Sequence, residues 1–433
     1  MQKPPGGLTR RALWTLTAQS FSSGSNFLLT VFVLSTVSAQ EFATFSITIT
    51  AFLLIVQISR SVVSVPVLIV QSVEETSSPG AAEQEAMRKD DPSAAAAALV
   101  VGTMASGALA LAALATGPFV PGALAQFLLL AAVAPLLLLQ DNARHIAFAR
   151  GAPAIAAISD ALWVGLQLVG SVVLFTTGTA SALALMAAWA AAGAMAWLFA
   201  AAYLALFPRL SGARPWMSEH RGLSRRMVVE LAALSSSFYV LYFGLAIVAG
   251  TEQLGRFKAA QTMFGPVIVV LLGGISLGVP ESVRARGEAS HLRRIALLLS
   301  GGLAAASLVI GAAIYGLLPV FGPRWFPNAW ETAKPLIPPF ALFSAALGVS
   351  TGPISGLRAV GATGWITRAR LAAGVVLLLV GLPASWVAGA EGALAALALV
   401  EAGVSVASWM ELERILGSGA AQDPATPDAA GDP

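Results

Sequence analysis

Between residues 12 and 416 the sequence is a succession of apolar blocks, each about as long as a bilayer is thick, with only short polar punctuation between them. A spanning helix needs roughly 20 apolar residues, because hydrocarbon offers backbone N–H and C=O groups no partner except each other. The blocks place twelve helices near 12–36, 41–70, 94–116, 122–148, 151–177, 181–207, 228–250, 257–281, 294–320, 333–357, 365–388 and 390–416. Charged residues make up 11% of the 433, against about a quarter in soluble domains. Water could not solvate such a surface, so the composition excludes a soluble enzyme and any large soluble domain. The expected class is an all-α, polytopic membrane protein.

Lys3, Arg10 and Arg11 precede the first block, and Val37-Ser38-Ala39 resembles a cleavage site. The apolar stretch is nevertheless too long for a signal h-region and carries Gln19 and Asn26 in its middle, so it reads as a retained helix. With the N-terminus inside, 20 of the 25 Lys and Arg residues fall on inner segments. Four (Arg256, Lys258, Arg324 and Lys334) fall outside, and Arg60 lies within a helix. That asymmetry is the positive-inside pattern of a cell-membrane protein with both termini cytoplasmic. The basic balance thus implies contact with membrane lipid and no nucleic acid. The inner loop 71–93 is acidic and the tail 417–433 is rich in Pro, Gly and Asp, which predicts disorder there. There is no cysteine, and His145, His220 and His291 read as solvated residues at helix ends. No metal cluster or nucleotide-binding loop is evident, so no cofactor is expected.

Six helices lie on each side of the basic segment 208–227, and the second half restarts like the first. Arg225-Arg226 precede helix seven as Arg10-Arg11 precede helix one. Ser38-Ala39-Gln40-Glu41-Phe42 corresponds to Thr251-Glu252-Gln253-Leu254-Gly255 at an offset of 213. The predicted organisation is a lobe over 1–207, a linker over 208–227, a second lobe over 228–416 and a tail over 417–433. An even number of helices gives both lobes one orientation, as in parallel-repeat transporters.

Polar residues inside the blocks are the functional candidates. Thr15, Gln19, Ser22, Asn26 and Thr30 lie on one face of helix one, and Gln57 and Arg60 share a stripe on helix two. An arginine deep in a membrane costs about 2.5–3.5 kcal/mol on insertion scales. Arg60 is therefore expected to face a wet cavity, pair with a carboxylate or bind an anion, unless it snorkels to the interface. Asp160 and Glu401 are the buried acids, each a candidate for ion coupling or for a structural pair; Arg150 is the nearest basic partner in sequence for Asp160. Helix breaks are expected at Pro135, Gly273-Gly274, Gly278, Pro280, Pro338-Pro339 and Gly352-Pro353.

The stretches SFSSGSNFLLTVFVLSTVSAQEFATFSI (20–47), LLLLQDNARHIAFARGAPAIAAISDALW (136–163), GRFKAAQTMFGPVIVVLLG (255–273) and RWFPNAWETAKPLIPPFAL (324–342) carry a family resemblance. Over nearly all of 8–416 the chain resembles the polysaccharide-biosynthesis branch of the multidrug/oligosaccharidyl-lipid/polysaccharide exporter superfamily. The resemblance implies two six-helix lobes around a central cavity. It also implies a polyprenyl-diphosphate-linked oligosaccharide as cargo, flipped to the outer leaflet in concert with other polysaccharide-assembly membrane proteins. Arg60 matches the cationic lumen residues of such flippases. Its offset counterpart is Gly273, so Lys258 and Gln261 are the substitutes in the second lobe, with Gln19, Asn26 and Gln57 as neutral cargo contacts. The alternative is a cation-coupled antiporter of the multidrug and toxin extrusion type, for which Asp160 is the coupling candidate. A membrane polymerase or ligase would need outer loops bearing Arg and His; here they are bare turns, and no enzyme is expected.

Overall fold

The computed structural model describes residues 6–69, 81–285, 287–327 and 329–418. All regular elements among them are helical. In chain order they are α1 (Gly6–Thr36), α2 (Ala39–Ile69), α3 (Ala81–Thr116), α4 (Ala123–Ala149), α5 (Pro153–Thr176), α6 (Ala182–Leu204) and α7 (Leu210–Glu219). They continue with α8 (Arg221–Val248), α9 (Thr251–Met263), α10 (Gly265–Ala285), α11 (Ala289–Trp325), α12 (Trp330–Ala359) and α13 (Thr363–Gly417). Eight of these are long and apolar enough to cross a bilayer. One of the eight, α13, is two spans, because Ala388 and Gly389 leave helical geometry in its middle. With α1, α8 and the α9–α10 pair the chain has twelve transmembrane helices in two six-helix lobes, and it is a multi-pass membrane protein.

The contacts divide into two compact units, Met1–Leu231 and Ala232–Pro433. In the first, α4 is the central helix, packed on α2, α3, α5 and α6. Close approach is bought by small residues: a Cβ on Gly102 would lie 2.7 Å from the Pro135 backbone, and one on Gly193 2.5 Å from Leu137. The Trp163 indole N–H donates to the Trp189 carbonyl at 2.8 Å, tying α5 to α6. In the second unit α12 is central, packed on α10, α11 and α13. Ser300 Oγ donates to the Val349 carbonyl at 2.7 Å.

Three local expectations change. Helix eight does not run unbroken over 257–281 with a weak point at Gly273-Gly274; it stops at Met263 and restarts at Gly265. Pro266 lacks the N–H that would continue α9, and prolines favour the first turn of a new helix. The acidic loop 71–93 is already helical from Ala81, while 70–80 lies outside the described residues, as does the tail beyond Ser418. The segment 208–227 holds α7, which packs on α3, and the first turns of α8.

One contact recurs in both units. Glu41 Oε1, in the first turn of α2, accepts the Ala182 N–H of α6 at 3.2 Å. Gln253 Oε1, in the first turn of α9, accepts the Ala390 N–H of the second limb of α13, also at 3.2 Å. Glycine is required beside that contact: Gly389 has φ +56°, and a Cβ there would lie 2.5 Å from Gln253 Oε1. Each acceptor satisfies an N–H that helix geometry leaves orphaned. Glu41→Ala and Gln253→Ala should each cost about 1 kcal/mol, as loss of a helix cap does. Thermal unfolding of the purified protein would read this; no drop beyond that of an exposed control substitution would remove the role.

Candidate functional site

Several ionisable residues of the first unit, Arg60, Asp141, Arg144, His145 and Asp160, meet around one turn of α4. Residues four apart share a helix face, so Gln140 and Arg144 point together toward α5, with Asp141 and His145 on the adjoining face toward α2. Asp141 is the hub. Arg60 holds it in a fork, Nη2 donating to Oδ1 at 2.7 Å and Nε to Oδ2 at 3.0 Å. Arg144 Nη2 donates to the same Oδ1 at 3.4 Å. Arg144 also pairs with Asp160 at 3.6 Å, and Gln140 Nε2 donates to Asp160 Oδ1 at 2.9 Å. Two arginines and two aspartates thus form one chain of neutral total charge across α2, α4 and α5. Burial is uneven: the side chains of Arg144 and Asp160 are 3% and 1% exposed, whereas Arg60 is 30% exposed.

Of the three environments expected for Arg60, the geometry gives the carboxylate pair. Its third arm is also used, since Nη1 donates to Gln57 Oε1 at 3.0 Å. The backbone is specialised here. Residues Arg60–Ser64 form a π-helical turn, with the Val65 N–H bonded to the Arg60 carbonyl. Such turns are rare and frequently mark functional positions. Ser64, at the end of the turn, accepts a long hydrogen bond of 3.5 Å from Asn142 Nδ2.

The partner expected for Asp160 changes. Arg150 is engaged elsewhere, on Asp91 at 2.6 Å, and Arg144 takes its place. His145 is not a solvated end residue: its side chain is 13% exposed, and Nδ1 donates to the Asp141 carbonyl at 2.7 Å. Asn26 stands apart from the Arg60 group, its amide turned back to the Ser22 carbonyl at 3.4 Å. Gln19 lies in α1, but its side chain is outside the described residues.

In the second unit Lys258 Nζ donates to Gln261 Oε1 at 2.9 Å, on the last turns of α9 before the break. Glu401 is a separate junction. Arg370 Nη1 reaches Glu401 Oε2 at 2.6 Å, and Ser350 Oγ reaches Oε1 at 2.6 Å, so one carboxylate ties α12 to both limbs of α13. Asp141, Arg144 and Arg370 were not singled out from the sequence. The available signal was the run QDNAR (140–144), three polar groups and an arginine inside an apolar block.

No family model matches the sequence. No curated protein matches it either. Solved structures do. The chain is similar to an inward-facing multidrug resistance MATE family transporter of the MOP superfamily, with TM-score 0.72 and 13% identity over 95% of this chain and 100% of that one. It is similar to the outward-facing conformation of such a transporter, with TM-score 0.59 and 13% identity over 95% and 96%. A third similar structure is a MOP superfamily transporter from Pyrococcus furiosus, described by a binding pocket of reverse polarity and a different function, with TM-score 0.57 and 12% identity over 96% of both chains. At identities this low, the structural overlap shows the fold alone. The class is therefore a multi-pass membrane protein. Its fold is that of MOP superfamily transporters.

Proposed function

We propose that the chain is an exporter of the multidrug-extrusion kind, working by alternating access in the cell membrane with both termini cytoplasmic. The observation that carries this reading is a fold shared over 95% of the chain with transporters of that kind solved both inward- and outward-facing. Alternating access moves one lobe against the other around a central site. Asp160 is the coupling residue in the first lobe, because its buried carboxylate sits at the end of the chain through Arg144 and Asp141 to Arg60. Protonation or cation binding at Asp160 would weaken its pair with Arg144 and leave Asp141 as that arginine's remaining carboxylate, changing the balance of the whole chain. Glu401 is the corresponding candidate in the second lobe.

The test is dye efflux from proteoliposomes holding the purified chain, under an imposed proton or sodium gradient. The wild type should accelerate efflux of a cationic dye, and Asp160→Asn should lose most of that acceleration. Absence of any gradient-dependent movement by the wild type would overturn the extrusion reading.

A second reading rests on a different observation. Asp141, Asp160 and Glu401 are each held by an arginine, whereas Lys258 donates to a neutral partner. Positive charge of that kind suits an anionic cargo, such as polyprenyl-diphosphate-linked oligosaccharide, better than a cationic drug. In that case Arg60, Gln57, Asn26, Gln19, Lys258 and Gln261 contact the diphosphate and sugar, and other polysaccharide-assembly membrane proteins are the partners. A leaflet-resolved assay of lipid-linked sugars in cells lacking the protein separates the two readings. Accumulation on the cytoplasmic face favours the flippase; a normal distribution leaves extrusion.

A further inference from the structure

The end of the first unit where α3 begins and α6 finishes is a rigid platform. Arg150 Nε donates to the buried Asp91 at 2.6 Å, and its Nη1 donates to the Leu204 carbonyl at 2.8 Å. That one guanidinium ties α3, the end of α4 and the last turn of α6. The short helix α7 is pinned to the platform. The Arg209 N–H donates to the Pro92 carbonyl at 3.1 Å. A Cβ on Gly212 would lie 2.1 Å from Ser93 Oγ, so the two backbones meet closely. Ala213 and Trp216 are buried, and the Trp216 indole stacks on His220 with ring centres 4.4 Å apart.

This pinning fixes what α7 presents elsewhere. Leu210, Arg214 and Met217 recur at helical spacing along one flank, next to the buried face, while Ser211, Pro215 and Ser218 occupy the far side. Leu210 is 65% exposed, and Tyr203 in the last turn of α6 and Phe207 just beyond it are exposed as well. The same stretch of chain carries five exposed arginines, Arg209 and Arg214 at and in α7 and Arg221, Arg225 and Arg226 in the first turns of α8. The only carboxylate in the segment 205–229 is Glu219, and no ion pair to any of the five is present among the described residues.

We propose that α7 and the first turns of α8 form a binding surface for anionic phospholipid headgroups. The apolar flank lies at the end of a spanning helix, where the acyl boundary begins, and the arginines lie at headgroup level. A fixed helix with alternating apolar and cationic side chains fits a lipid surface. A soluble acidic partner would leave Tyr203, Phe207 and Leu210 without a use. The surface is independent of the transported cargo, so it stands or falls apart from either transport reading.

The experiment is native mass spectrometry of the full purified chain with equimolar phosphatidylglycerol and phosphatidylcholine. The wild type should retain phosphatidylglycerol in preference, and the preference should weaken as salt is raised. Interfacial arginines each contribute about fivefold in affinity for an anionic membrane. The triple variant Arg214→Gln, Arg221→Gln, Arg225→Gln should therefore lose most of the preference, with phosphatidylcholine retention and thermal unfolding unchanged. A second variant, Trp216→Ala, keeps all five arginines but frees α7 and should reduce the preference partially. Equal retention of the two lipids by the wild type would overturn the proposal. So would an unchanged preference in the triple variant, or binding of a soluble polyanion without any lipid preference.

Discussion

Asp141→Ala is expected to destabilise the protein by about 3–5 kcal/mol, the usual consequence of removing one partner from a buried ion pair. The mutant would keep Arg144, 3% exposed, with only Asp160 at 3.6 Å to balance it. Arg60 would lose both bonds of its fork. Asp141→Asn should fall between wild type and alanine, because the amide oxygen still accepts while the charge is gone. Arg60→Ala should cost less than Asp141→Ala, since Arg60 is 30% exposed and Arg144 remains to hold the carboxylate. Thermal and denaturant unfolding of the purified variants would measure the series. A loss at Asp141 of less than about 1 kcal/mol, typical of solvent-exposed pairs, would show that water screens the network.

In the second unit the largest effect is expected at Gly352. There α11 and α12 pack through small residues spaced four apart, as membrane helices do when their backbones touch. A Cβ on Gly352 would lie 2.1 Å from the Ala296 carbonyl oxygen, and one on Gly348 2.8 Å from the Ala304 backbone nitrogen. Neither neighbour is a flexible side chain that can turn aside. Gly352→Ala should therefore push the helices apart and cost about 1–3 kcal/mol or more. Gly301→Ala makes the control: nothing lies within 4 Å of its Cβ position, and alanine favours a helix over glycine by roughly 0.5–1 kcal/mol. The two substitutions should thus differ in sign when unfolding midpoints are compared. A neutral Gly352→Ala would mean that the close packing of α11 on α12 is slack.

The helices were legible because the constraint that makes them is compositional. A chain that must satisfy its backbone in hydrocarbon writes each span as an apolar block, and the blocks agree with the elements to within a few residues, except where α1, α3 and α8 begin earlier and where the eighth block begins earlier and divides into α9 and α10. The site was legible only in part. Arg60 stood out because charge inside a block is costly, but its partner lies 81 residues away, and spacing carries no information about that distance. Arg144 looked like an ordinary basic residue near a helix end, and His145 beside it looked solvated. Only packing of α4 between α2 and α5 reveals both as interior groups. The break before Gly265 was written in the sequence as Gly265-Pro266, whereas the Gly273-Gly274 pair stays helical inside α10. The internal repeat was visible at an offset of 213. The matching contacts of Glu41 and Gln253 put the structural equivalence at an offset of 212 at that point, with glutamate and glutamine exchanged.

The π-helical turn at Arg60–Ser64 has a consequence for comparing this chain with others. A π turn is an α-helix that has accommodated one additional residue without breaking. Everything from Val65 to Ile69 is therefore rotated by about one residue's worth of helix, roughly 100°, relative to an uninterrupted α2. A relative that lacks the turn should align to this sequence with a single-residue gap between Ser59 and Val65. Aligned without that gap, its residues beyond the turn would be matched to positions about 100° away around the helix.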